Sequence, residues 1–428
     1  MNAVVFTIIA KNYIGLARVL ERSVRENSDA DFYIVVADEW DPLHPDFANL
    51  PPNILCAKDI CGIPDLQWKE MAFRYNLVEF CTAIKPACFH HFFTNGGADK
   101  VVYLDPDIFV FNDLSPVFEG LDATPVIVTP HIAHIHVPFT GDYADHLFLL
   151  NGTFNLGFLA MRKTPETQLL VNWWHDRLYH QCYFDNDKGM ATDQKWMNLL
   201  PGFFNSDTVA VWRNAGYNMA PWNFFERKVV EEDGRFYVLP RNGETPGKVK
   251  LVFVHFSGYN YRSLSNQVAD HKNDNFTHYA DLQPVLRAYG EALSASEFRK
   301  FNQHLYTYNF FDNGKHIISL NRRIFRRMVE ENNNPYTDPF ATGDNSFYHK
   351  LKKRRLIDHS PVSADSMTNK NVSGFGSKLG LVNRVFRMIQ WILGVKKYSI
   401  LLRFFRRYFK EENQYFLFDS KAKKEFYS

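Results

Sequence analysis

Asp105 and Asp107 are the residues of this chain whose types and spacing point most directly to chemistry. They follow the apolar run 100–104, and Pro106 stiffens the turn between them. A pair of carboxylates two positions apart can hold a hard divalent cation, which in turn can neutralise a diphosphate. A phosphatase would place a hydroxyl residue soon after a nucleophilic Asp, but the apolar residues 108–111 follow here. The pattern therefore favours a metal site.

His255 is the candidate for a third ligand. It ends another apolar run, residues 251–254, so its imidazole can converge with the two carboxylates if both strands end in the same crevice. The alternative is a buried, hydrogen-bonded histidine without a metal. Gly258 follows three residues later and would let the backbone approach a phosphate closely.

Alternating strands and helices must position these groups. Strands are expected in the ranges 3–9, 32–37, 100–104, 126–129, 154–161 and 250–256, and helices in the ranges 13–24, 73–93 and 165–183. Each strand is nearly all apolar, which predicts an α/β fold with a mainly parallel central sheet covered on both faces. Polar groups just after such strands line the crevice in which open α/β sheets bind ligands.

The composition fits a protein with a large core, since 46% of the 428 residues are hydrophobic and 22% are charged. No continuous apolar run of eighteen residues is present, so a membrane-spanning helix is not expected. The first apolar run has no preceding Lys or Arg, which favours a buried strand over a signal peptide. Five cysteines without CxxC spacing argue against a structural zinc site and favour a reducing cytoplasm.

Six motifs resemble, in the same order, those of GT-A glycosyltransferases, and are similar to those of the retaining family-eight enzymes. They are an opening strand with Asn12-Tyr13, a helix with Lys85, the pair Asp105 and Asp107, the run Phe154-Asn155-Leu156-Gly157, the pair Asp193-Gln194, and His255 with Gly258. The resemblance spans residues 3–265. It implies the Rossmann-like nucleotide-diphospho-sugar transferase fold, and transfer of a sugar from such a donor to a glycan or lipid-linked acceptor. Residues 216–223 and 255–259 also resemble bacterial surface-polysaccharide transferases.

The resemblance implies a role for each motif residue. Asp105, Asp107 and His255 would hold Mn²⁺ or Mg²⁺. Contacts to the donor are implied at Thr7, Asn12, Tyr13, Lys85, Gly157, Gly258 and Arg262. On the sugar side, Asp193 and Gln194 would lie beneath the ring and Asn155 would orient its hydroxyls. Retention requires a nucleophile below the ring or same-face attack guided by the departing phosphate, and the sequence leaves both routes open.

Three positions depart from the family pattern. Lys11 stands where an acidic residue is common, and Ala83 where an arginine is expected. Tyr261-Arg262-Ser263 replaces the usual Lys-Pro-Trp, so another residue, Arg262, is expected at the diphosphate. These changes keep the metal ligands and leave the donor open. Asp193 also has a structural alternative as the N-cap of a helix over residues 195–199.

A sugar-nucleotide nucleotidyltransferase is the alternative enzyme. It could use the same sheet and metal pair, but residues 9–14 lack its Gly-rich basic loop.

Two other residue groups could have a function. The three histidines 131, 134 and 136 lie in a Pro-flanked loop and fit no usual metal spacing. Most tryptophans are expected in the core, although some could form an acceptor-stacking platform. This set comprises Trp173, Trp174, Trp196, Trp212 and Trp222.

Charge is distributed unevenly along the chain. The net charge of +2 is the sum of −12 over residues 1–298 and +14 over residues 299–428. Residues 380–410 carry eight Lys or Arg and no Asp or Glu, with apolar residues at helical spacing. This pattern predicts peripheral attachment to the anionic inner face of the plasma membrane. Packing on the catalytic domain, a homodimer contact and a purely membrane-binding, non-catalytic module are the alternatives. Nucleic acid is not expected as a partner, because no nucleic-acid module accompanies the basic segment.

These features predict five segments. They are a GT-A catalytic domain at 1–281, a helical extension at 282–345, a linker at 346–379, a basic amphipathic segment at 380–410 and a C-terminal tail at 411–428.

Overall fold

The structure is a computed structural model, and it describes residues 2–241, 247–273, 276–359, 375–420 and 426. The chain forms two compact units. Unit 1 comprises Met1–Ile63 and Leu77–Thr307, and unit 2 comprises Pro64–Asn76 and Tyr308–Ser428. Every site residue inferred from the sequence belongs to unit 1.

The strands are β1 Ala3–Ile9, β2 Asp31–Val36, β3 Ile54–Cys56, β4 Lys100–Leu104, β5 Ile108–Val110, β6 Val126–Pro130, β7 Phe154–Arg162, β8 Phe184–Asp185, β9 Met190–Ala191, β10 Val209–Val211, β11 Arg227–Glu232, β12 Arg235–Pro240, β13 Val249–Lys250 and β14 Phe253–His255. The α-helices are α1 Ile14–Arg25, α2 Ala57–Ile60, α3 Asp65–Arg74, α4 Leu77–Ala83, α5 Lys85–Thr94, α6 Ser115–Ala123, α7 His146–Asn151, α8 Pro165–Gln181, α9 Leu200–Phe203, α10 Tyr261–Leu264, α11 Gln283–Ser294, α12 Phe298–Phe301, α13 Ser319–Glu330, α14 Phe347–Lys353 and α15 Phe375–Tyr408. Short 3₁₀ helices cover Lys11–Tyr13, Asn186–Lys188, Lys195–Leu199, Pro221–Asn223, Ala280–Leu282, Thr307–Asn309 and Glu411–Leu417.

A seven-stranded sheet forms the centre of unit 1. Its strand order is β10-β6-β7-β4-β1-β2-β3. Neighbouring strands are parallel except at β7, which runs antiparallel to both β4 and β6. The central strands are buried on both faces, as their apolar runs predict, because helices cover the sheet on each side. The α/β fold with a mainly parallel central sheet and a helical C-terminal region is therefore confirmed.

Two strand contacts bring the ends of β4 and β14 together. Strand β14 pairs antiparallel with β5, so that His255 faces Ile108, the residue after Asp107. On the other side, the backbone N–H of Asp105 donates to the carbonyl of Gly157 in β7, at 2.8 Å. The turn between β4 and β5 is thereby held between the two strands that carry the other motif residues.

The unit boundary falls at residue 307 and not at the predicted 281. Helix α11 belongs to unit 1 because its Tyr289 stacks on Phe256 just after β14, with ring centroids 4.1 Å apart. Leu286 and Leu293 of the same helix are buried in the same core cluster. The predicted helical extension is therefore divided between the two units.

Unit 2 corrects two of the predicted segments. Helix α14 lies inside the range expected to be a linker, and its Phe347 and Leu351 are fully buried; residues 360–374 of that range lie outside the described residues. The start of the predicted C-terminal tail, residues 411–418, is also packed, because Tyr415 and Phe418 are buried and Glu412 accepts a hydrogen bond from Arg326 at 2.9 Å. In both segments the composition is polar, but a few apolar side chains are buried, and these make the segment part of the folded unit.

Helix α15 covers the basic amphipathic segment and is interrupted at Gly394. This glycine has φ 71° and ψ 160°, a conformation that the other residue types rarely adopt. The rings of Phe386 and Tyr398 lie 6.4 Å apart, although twelve residues of straight helix would span about 18 Å. The two halves of α15 therefore do not continue in one line. Across the described part of the chain, no helix has the length and apolarity needed to cross a membrane.

Candidate active site

Asp105, Asp107 and His255 converge where β4 ends, as the sequence predicts. His255 Nε2 lies 3.0 Å from Asp107 Oδ1 and 3.6 Å from Asp105 Oδ2. One oxygen of each carboxylate therefore faces the same imidazole nitrogen. The three ligand atoms lie within 4.8 Å of one another, a spacing at which one cation can touch all of them.

The outer oxygen of each carboxylate is held by a tyrosine. Tyr103 donates its hydroxyl hydrogen to Asp105 Oδ1 at 2.6 Å, and Tyr261 donates to Asp107 Oδ2 at 2.9 Å. Burial, together with the neighbouring carboxylates, raises the pKa of both hydroxyls well above its ordinary value. Both tyrosines therefore stay protonated at neutral pH and act as donors, which leaves Asp105 Oδ2 and Asp107 Oδ1 available to a ligand.

His255 is oriented by Asn155. The Oδ1 atom of Asn155 lies 3.2 Å from His255 Nδ1 and also accepts hydrogen bonds from Asn218 Nδ2 at 3.0 Å and from the Gly157 N–H at 3.1 Å. An amide oxygen can only accept, so Nδ1 carries a hydrogen in every protonation state, and in the neutral imidazole the lone pair is on Nε2, the nitrogen that faces the carboxylates. This is the tautomer that a metal-binding imidazole needs.

Gly157 provides the space for the imidazole. A Cβ atom at this position would lie 2.4 Å from His255 Cε1 and 2.7 Å from His255 Nδ1, which is closer than real Cβ contacts allow. A glycine inside a strand often marks such a close approach. The motif glycine that the resemblance assigns to the donor is thus needed first by the histidine.

The charges of the site depend on one another. Burial by itself lowers the pKa of His255, but Asp107 and Asp105 outweigh burial and raise it above its ordinary value. Burial raises the pKa of Asp105, against the nearby charge of Lys85. Burial also disfavours the charged form of Asp107, yet His255 and the Tyr261 hydrogen bond hold its pKa below the usual range. The two carboxylates therefore favour a positive charge beside them, either on the imidazole of His255 or on a bound cation.

Lys85 and Asp193 form an ion pair inside unit 1. Lys85 Nζ lies 2.6 Å from Asp193 Oδ2, donates to the carbonyl of Leu156 at 3.0 Å, and lies 4.0 Å above the ring of Tyr103. The two side chains are only 1% and 4% exposed. The alternative role of Asp193 as a helix cap is wrong, because the 3₁₀ helix Lys195–Leu199 has no side-chain cap and the carboxylate binds Lys85 instead.

Both amide atoms of the Gln194 side chain form hydrogen bonds within the protein. Its Oε1 accepts from Asn155 Nδ2 at 3.3 Å and from the Leu156 N–H at 3.1 Å, and its Nε2 donates to the carbonyl of Asn151 at 2.9 Å. Asn155 and Gln194 were expected at the sugar. In this structure they fix each other, the backbone of β7 and the orientation of His255.

Asn12 and Tyr13 lie on the 3₁₀ turn that directly follows β1. The Oδ1 atom of Asn12 is buried and has no hydrogen-bond partner among the described residues. The ring of Tyr13 meets the ring of Tyr261 edge to face at 6.3 Å. Burial, and then the charge of Asp107, raises the pKa of Tyr13. The predicted nucleotide turn therefore borders the carboxylate group.

The remaining predicted donor residues have different surroundings. Thr7 is buried within β1, and its Oγ1 has no partner in the described part of the chain. Gly258 has φ 81°, a backbone conformation that favours glycine. Arg262 is exposed and donates to Asn302 Oδ1 at 3.2 Å. Its neighbour Tyr261, and not Arg262, contacts the carboxylate pair.

Trp222 is the tryptophan that lies beside the site. Its ring meets His255 edge to face at 5.2 Å, and it meets His131 at the same distance. Other tryptophans pack as expected: Trp174 is fully buried, and Trp173 packs against Trp196. In the histidine loop, His131 is buried, and burial lowers its pKa to about 4.

Sequence reasoning missed four residues of the site, namely Tyr103, Tyr261, Asn218 and Trp222 as a neighbour of His255. Tyr103 precedes Asp105 by two positions, and side chains two apart in a strand share a face, so this spacing was a usable signal. Tyr261 lies in the segment that departs from the family pattern, where a charged residue was sought. No local signal identifies Asn218, because its contacts come from β6 and β7.

Comparisons with known proteins were made against families, curated sequences and solved structures. No protein-family model matches the chain. YfnF of Bacillus subtilis (strain 168) is 24% identical over 296 residues, which cover 68% of this chain and 92% of YfnF. YfnD of the same organism is 26% identical over 256 residues, 59% of this chain and 76% of YfnD. Both relatives are uncharacterised proteins, so they do not indicate an activity.

The similar solved structures are glycosyltransferases. The galactosyltransferase LgtC, in complex with donor and acceptor sugar analogues, has a TM-score of 0.39 and 16% identity over 70% of this chain and 99% of its own. The bifunctional glycosyltransferase WbbM has a TM-score of 0.39 and 16% identity over 71% of this chain and 52% of its own. GlyE of Streptococcus pneumoniae TIGR4 has a TM-score of 0.35 and 15% identity, covering 72% and 66%. The chain is similar to glycosyltransferases. At these TM-scores the likeness does not decide its reaction.

Proposed function

We propose that the protein is a metal-dependent glycosyltransferase that moves a sugar from a nucleotide-diphosphate donor to a glycan or lipid-linked acceptor. The observation that carries this proposal is the convergence of Asp105, Asp107 and His255, each oriented by a hydrogen bond on its outer side. Two carboxylate oxygens and one imidazole nitrogen suit Mn²⁺ better than Mg²⁺, which prefers oxygen ligands and is the alternative cation. Such a cation would neutralise the diphosphate and make it a better leaving group.

The chain's own residues keep this ligand set in place. Tyr103 and Tyr261 each occupy one carboxylate oxygen, so only the inner oxygens face His255. Asn155 keeps the hydrogen of the imidazole on Nδ1. Preorganised polar groups of this kind need no rearrangement when charge develops in the reaction. Asn12 and Tyr13, on the turn that borders the carboxylates, are the proposed contacts to the nucleotide, together with Thr7.

For the sugar we propose retention by same-face attack. A double displacement would need a free carboxylate below the ring, whereas Asp193 is 3% exposed and bonded to Lys85 at 2.6 Å. A carboxylate in such a buried ion pair is a poor nucleophile. In this proposal Asp193 and Lys85 support the site electrostatically, while Gln194 and Asn155 position β7 and His255. A place in bacterial surface-polysaccharide assembly is also proposed, on the sequence resemblance of residues 216–223 and 255–259.

Helix α15 is the proposed membrane contact, and an anionic bilayer is the proposed partner. Three apolar residues around Gly394 are largely exposed to solvent: Trp391 is 82% exposed, Val395 73% and Ile392 64%. The surrounding segment 380–410 carries eight basic residues and no acidic one. Each basic side chain near an anionic leaflet contributes about 1 kcal/mol to the free energy of membrane binding. The apolar side chains add to it by burial in the membrane interface. The protein would thus attach peripherally, at the cytoplasmic face, where nucleotide-sugars are available.

Point variants test this attachment better than truncation, because residues 411–417 pack inside unit 2. We expect Trp391→Glu with Ile392→Glu to abolish co-sedimentation with vesicles that contain anionic lipid. A matched pair of exposed apolar residues outside the segment, Leu43→Glu with Ile135→Glu, should leave it unchanged. Equal binding by the wild type and the Trp391 and Ile392 variant would refute the membrane contact.

Product analysis separates the transferase from a nucleotidyltransferase. With a nucleotide-diphospho-sugar and Mn²⁺, a transferase passes the sugar to an acceptor hydroxyl or to water. The bond between the anomeric carbon and the phosphate oxygen breaks as the new bond forms, so phosphorus NMR shows a nucleoside diphosphate. A nucleotidyltransferase supplied with pyrophosphate would instead release a sugar 1-phosphate and a nucleoside triphosphate. Asp107→Asn is the control that should remove either activity. The second product pattern would overturn the proposal.

A further inference from the structure

His44, Asp46 and His304 form a second group of potential metal ligands in unit 1, with no residue in common with the first. Their ligand atoms lie within 4.8 Å of one another. His304 Nε2 is 2.9 Å from Asp46 Oδ2, and His44 Nδ1 is 3.9 Å from the same oxygen. One carboxylate oxygen therefore lies between two imidazole nitrogens.

A buried aromatic side chain orients both imidazoles. The ring centroid of Phe47 lies 4.6 Å from that of His304 and 5.4 Å from that of His44. The two imidazoles meet edge to face at 5.1 Å. Phe47 is itself only 5% exposed and packs against Phe301. The rings are thus held in position by core packing, independently of any ligand.

The protonation pattern leaves His44 able to bind. Its Nδ1 accepts a hydrogen bond from the backbone N–H of Asp46 at 3.2 Å, so this nitrogen carries a lone pair and no hydrogen, and a metal ion at Nδ1 would replace that hydrogen bond. Its side chain is 45% exposed, so a ligand can reach it from the solvent. Lys300 approaches the group as well, but its Nζ lies 3.8 Å from the other oxygen, Asp46 Oδ1, and also pairs with Glu297.

We propose that His44, Asp46 and His304 bind a transition-metal ion of the zinc class. Two imidazoles and one carboxylate are a ligand set that suits Zn²⁺, whereas Mg²⁺ and Ca²⁺ prefer oxygen ligands throughout. With bonds of about 2.0–2.1 Å, neighbouring ligand atoms in a tetrahedral site lie about 3.3 Å apart. The observed spacings of 2.9 and 3.9 Å bracket this value. A water molecule would fill the fourth position.

The ion would connect a loop to the segment that supports the predicted nucleotide turn. Asp46 and His44 lie between β2 and β3, and His304 follows α12. Three residues after His304, the N–H of Thr307 donates to Asp38 Oδ1 at 3.0 Å, and Thr307 Oγ1 accepts from Lys11 Nζ at 2.5 Å. Lys11 is the first residue of the turn that carries Asn12 and Tyr13. Binding at the second group therefore stabilises unit 1 next to that turn.

Zinc titration of the full chain tests the inference independently of the proposed transferase activity. We would strip the protein with a chelator, in a background with Asp105→Asn and Asp107→Asn that removes the first ligand set. Calorimetry should then show one equivalent of bound Zn²⁺ and a rise in Tm on binding. His304→Gln in this background should weaken the affinity at least tenfold and abolish the rise in Tm.

His278→Gln is the matched control, because His278 also bonds a carboxylate, Asp142 at 3.0 Å, but belongs to no ligand group among the described residues. It should leave the titration unchanged. His44→Gln gives the same test at a more exposed residue and decides the matter if His304→Gln does not fold. The inference would be overturned if the protein with Asp105→Asn and Asp107→Asn bound no zinc. It would also be overturned if adding His44→Gln or His304→Gln left the zinc affinity of that protein unchanged.

Discussion

The hydroxyl group of Tyr261 donates to Asp107 Oδ2 at 2.9 Å and leaves Asp107 Oδ1 turned towards His255. This tyrosine stands where the family pattern that the sequence resembles has a lysine. The chain thus uses a neutral donor next to its carboxylates. Tyr261 therefore fixes the position of Asp107 and adds no positive charge to the site.

Tyr261→Phe removes this hydrogen bond and keeps the ring. Partners in the outer shell of a metal site typically change metal affinity or activity by about 10–100-fold. We therefore expect the affinity for Mn²⁺, measured by calorimetry, to fall within this range, with little change in fold. Tyr289→Phe is the control, because its ring stacks on Phe256 while its hydroxyl has no hydrogen-bond partner among the described residues. Equal losses from both variants would contradict the role of Tyr261.

Gly157→Ala should displace the imidazole of His255, because the added Cβ would lie 2.4 Å from its Cε1 atom. We expect the variant to fold and to lose Mn²⁺ binding by at least tenfold. Gly202→Ala has open space around it and should bind Mn²⁺ normally. Normal binding by Gly157→Ala would show that His255 can bind from another position.

Lys85→Met leaves the buried carboxylate of Asp193 without its partner. Removing one member of a buried ion pair costs about 3–5 kcal/mol, since a charge stays uncompensated inside the protein. Denaturant unfolding should show this loss, and the double variant with Asp193→Asn should recover a large part of it. The exposed pair of Lys58 and Glu39 is the comparison, for which Lys58→Met should cost less than about 1 kcal/mol. If Lys85→Met and Lys58→Met lowered the free energy of unfolding by similar amounts, Lys85 and Asp193 would not form a buried ion pair.

Buried His131 should make the stability depend on pH. Burial lowers its pKa from 6.5 to about 4, so between these values the unfolded chain binds a proton that the folded chain does not. This contribution therefore favours unfolding as the pH falls from 6.5 towards 4, and is absent above 6.5. Between pH 7 and pH 5 it amounts to about 2 kcal/mol. His131→Gln should reduce the loss of stability over this interval by that amount, and an unchanged loss would contradict the assignment.

The sheet and the ligand triad could be predicted from the sequence because their signals are local. Apolar runs identify β1, β4 and β7, and Asp105, Asp107 and His255 each follow such a run. Contacts between distant residues gave no such signal. Asn155 was assigned to the sugar, yet its oxygen meets His255, one hundred positions away.

The helices that join unit 1 after residue 281 were missed for the same reason. Tyr289 belongs to unit 1 only because it stacks on Phe256. Phe347 and Phe418 pack at 5.1 Å inside unit 2, across a stretch that looked like a linker and a tail. Composition could not show which apolar side chains find partners.

The release of nucleoside diphosphate from a panel of nucleotide-diphospho-sugars, with and without Mn²⁺, tests the proposed activity most directly. We expect release from at least one donor that depends on Mn²⁺ and is lost in Asp107→Asn. Protein unfolding should be excluded for that variant by its Tm. Release that is equal without the metal or in Asp107→Asn would contradict the metal site, and no hydrolysis or transfer with any donor would contradict the transferase.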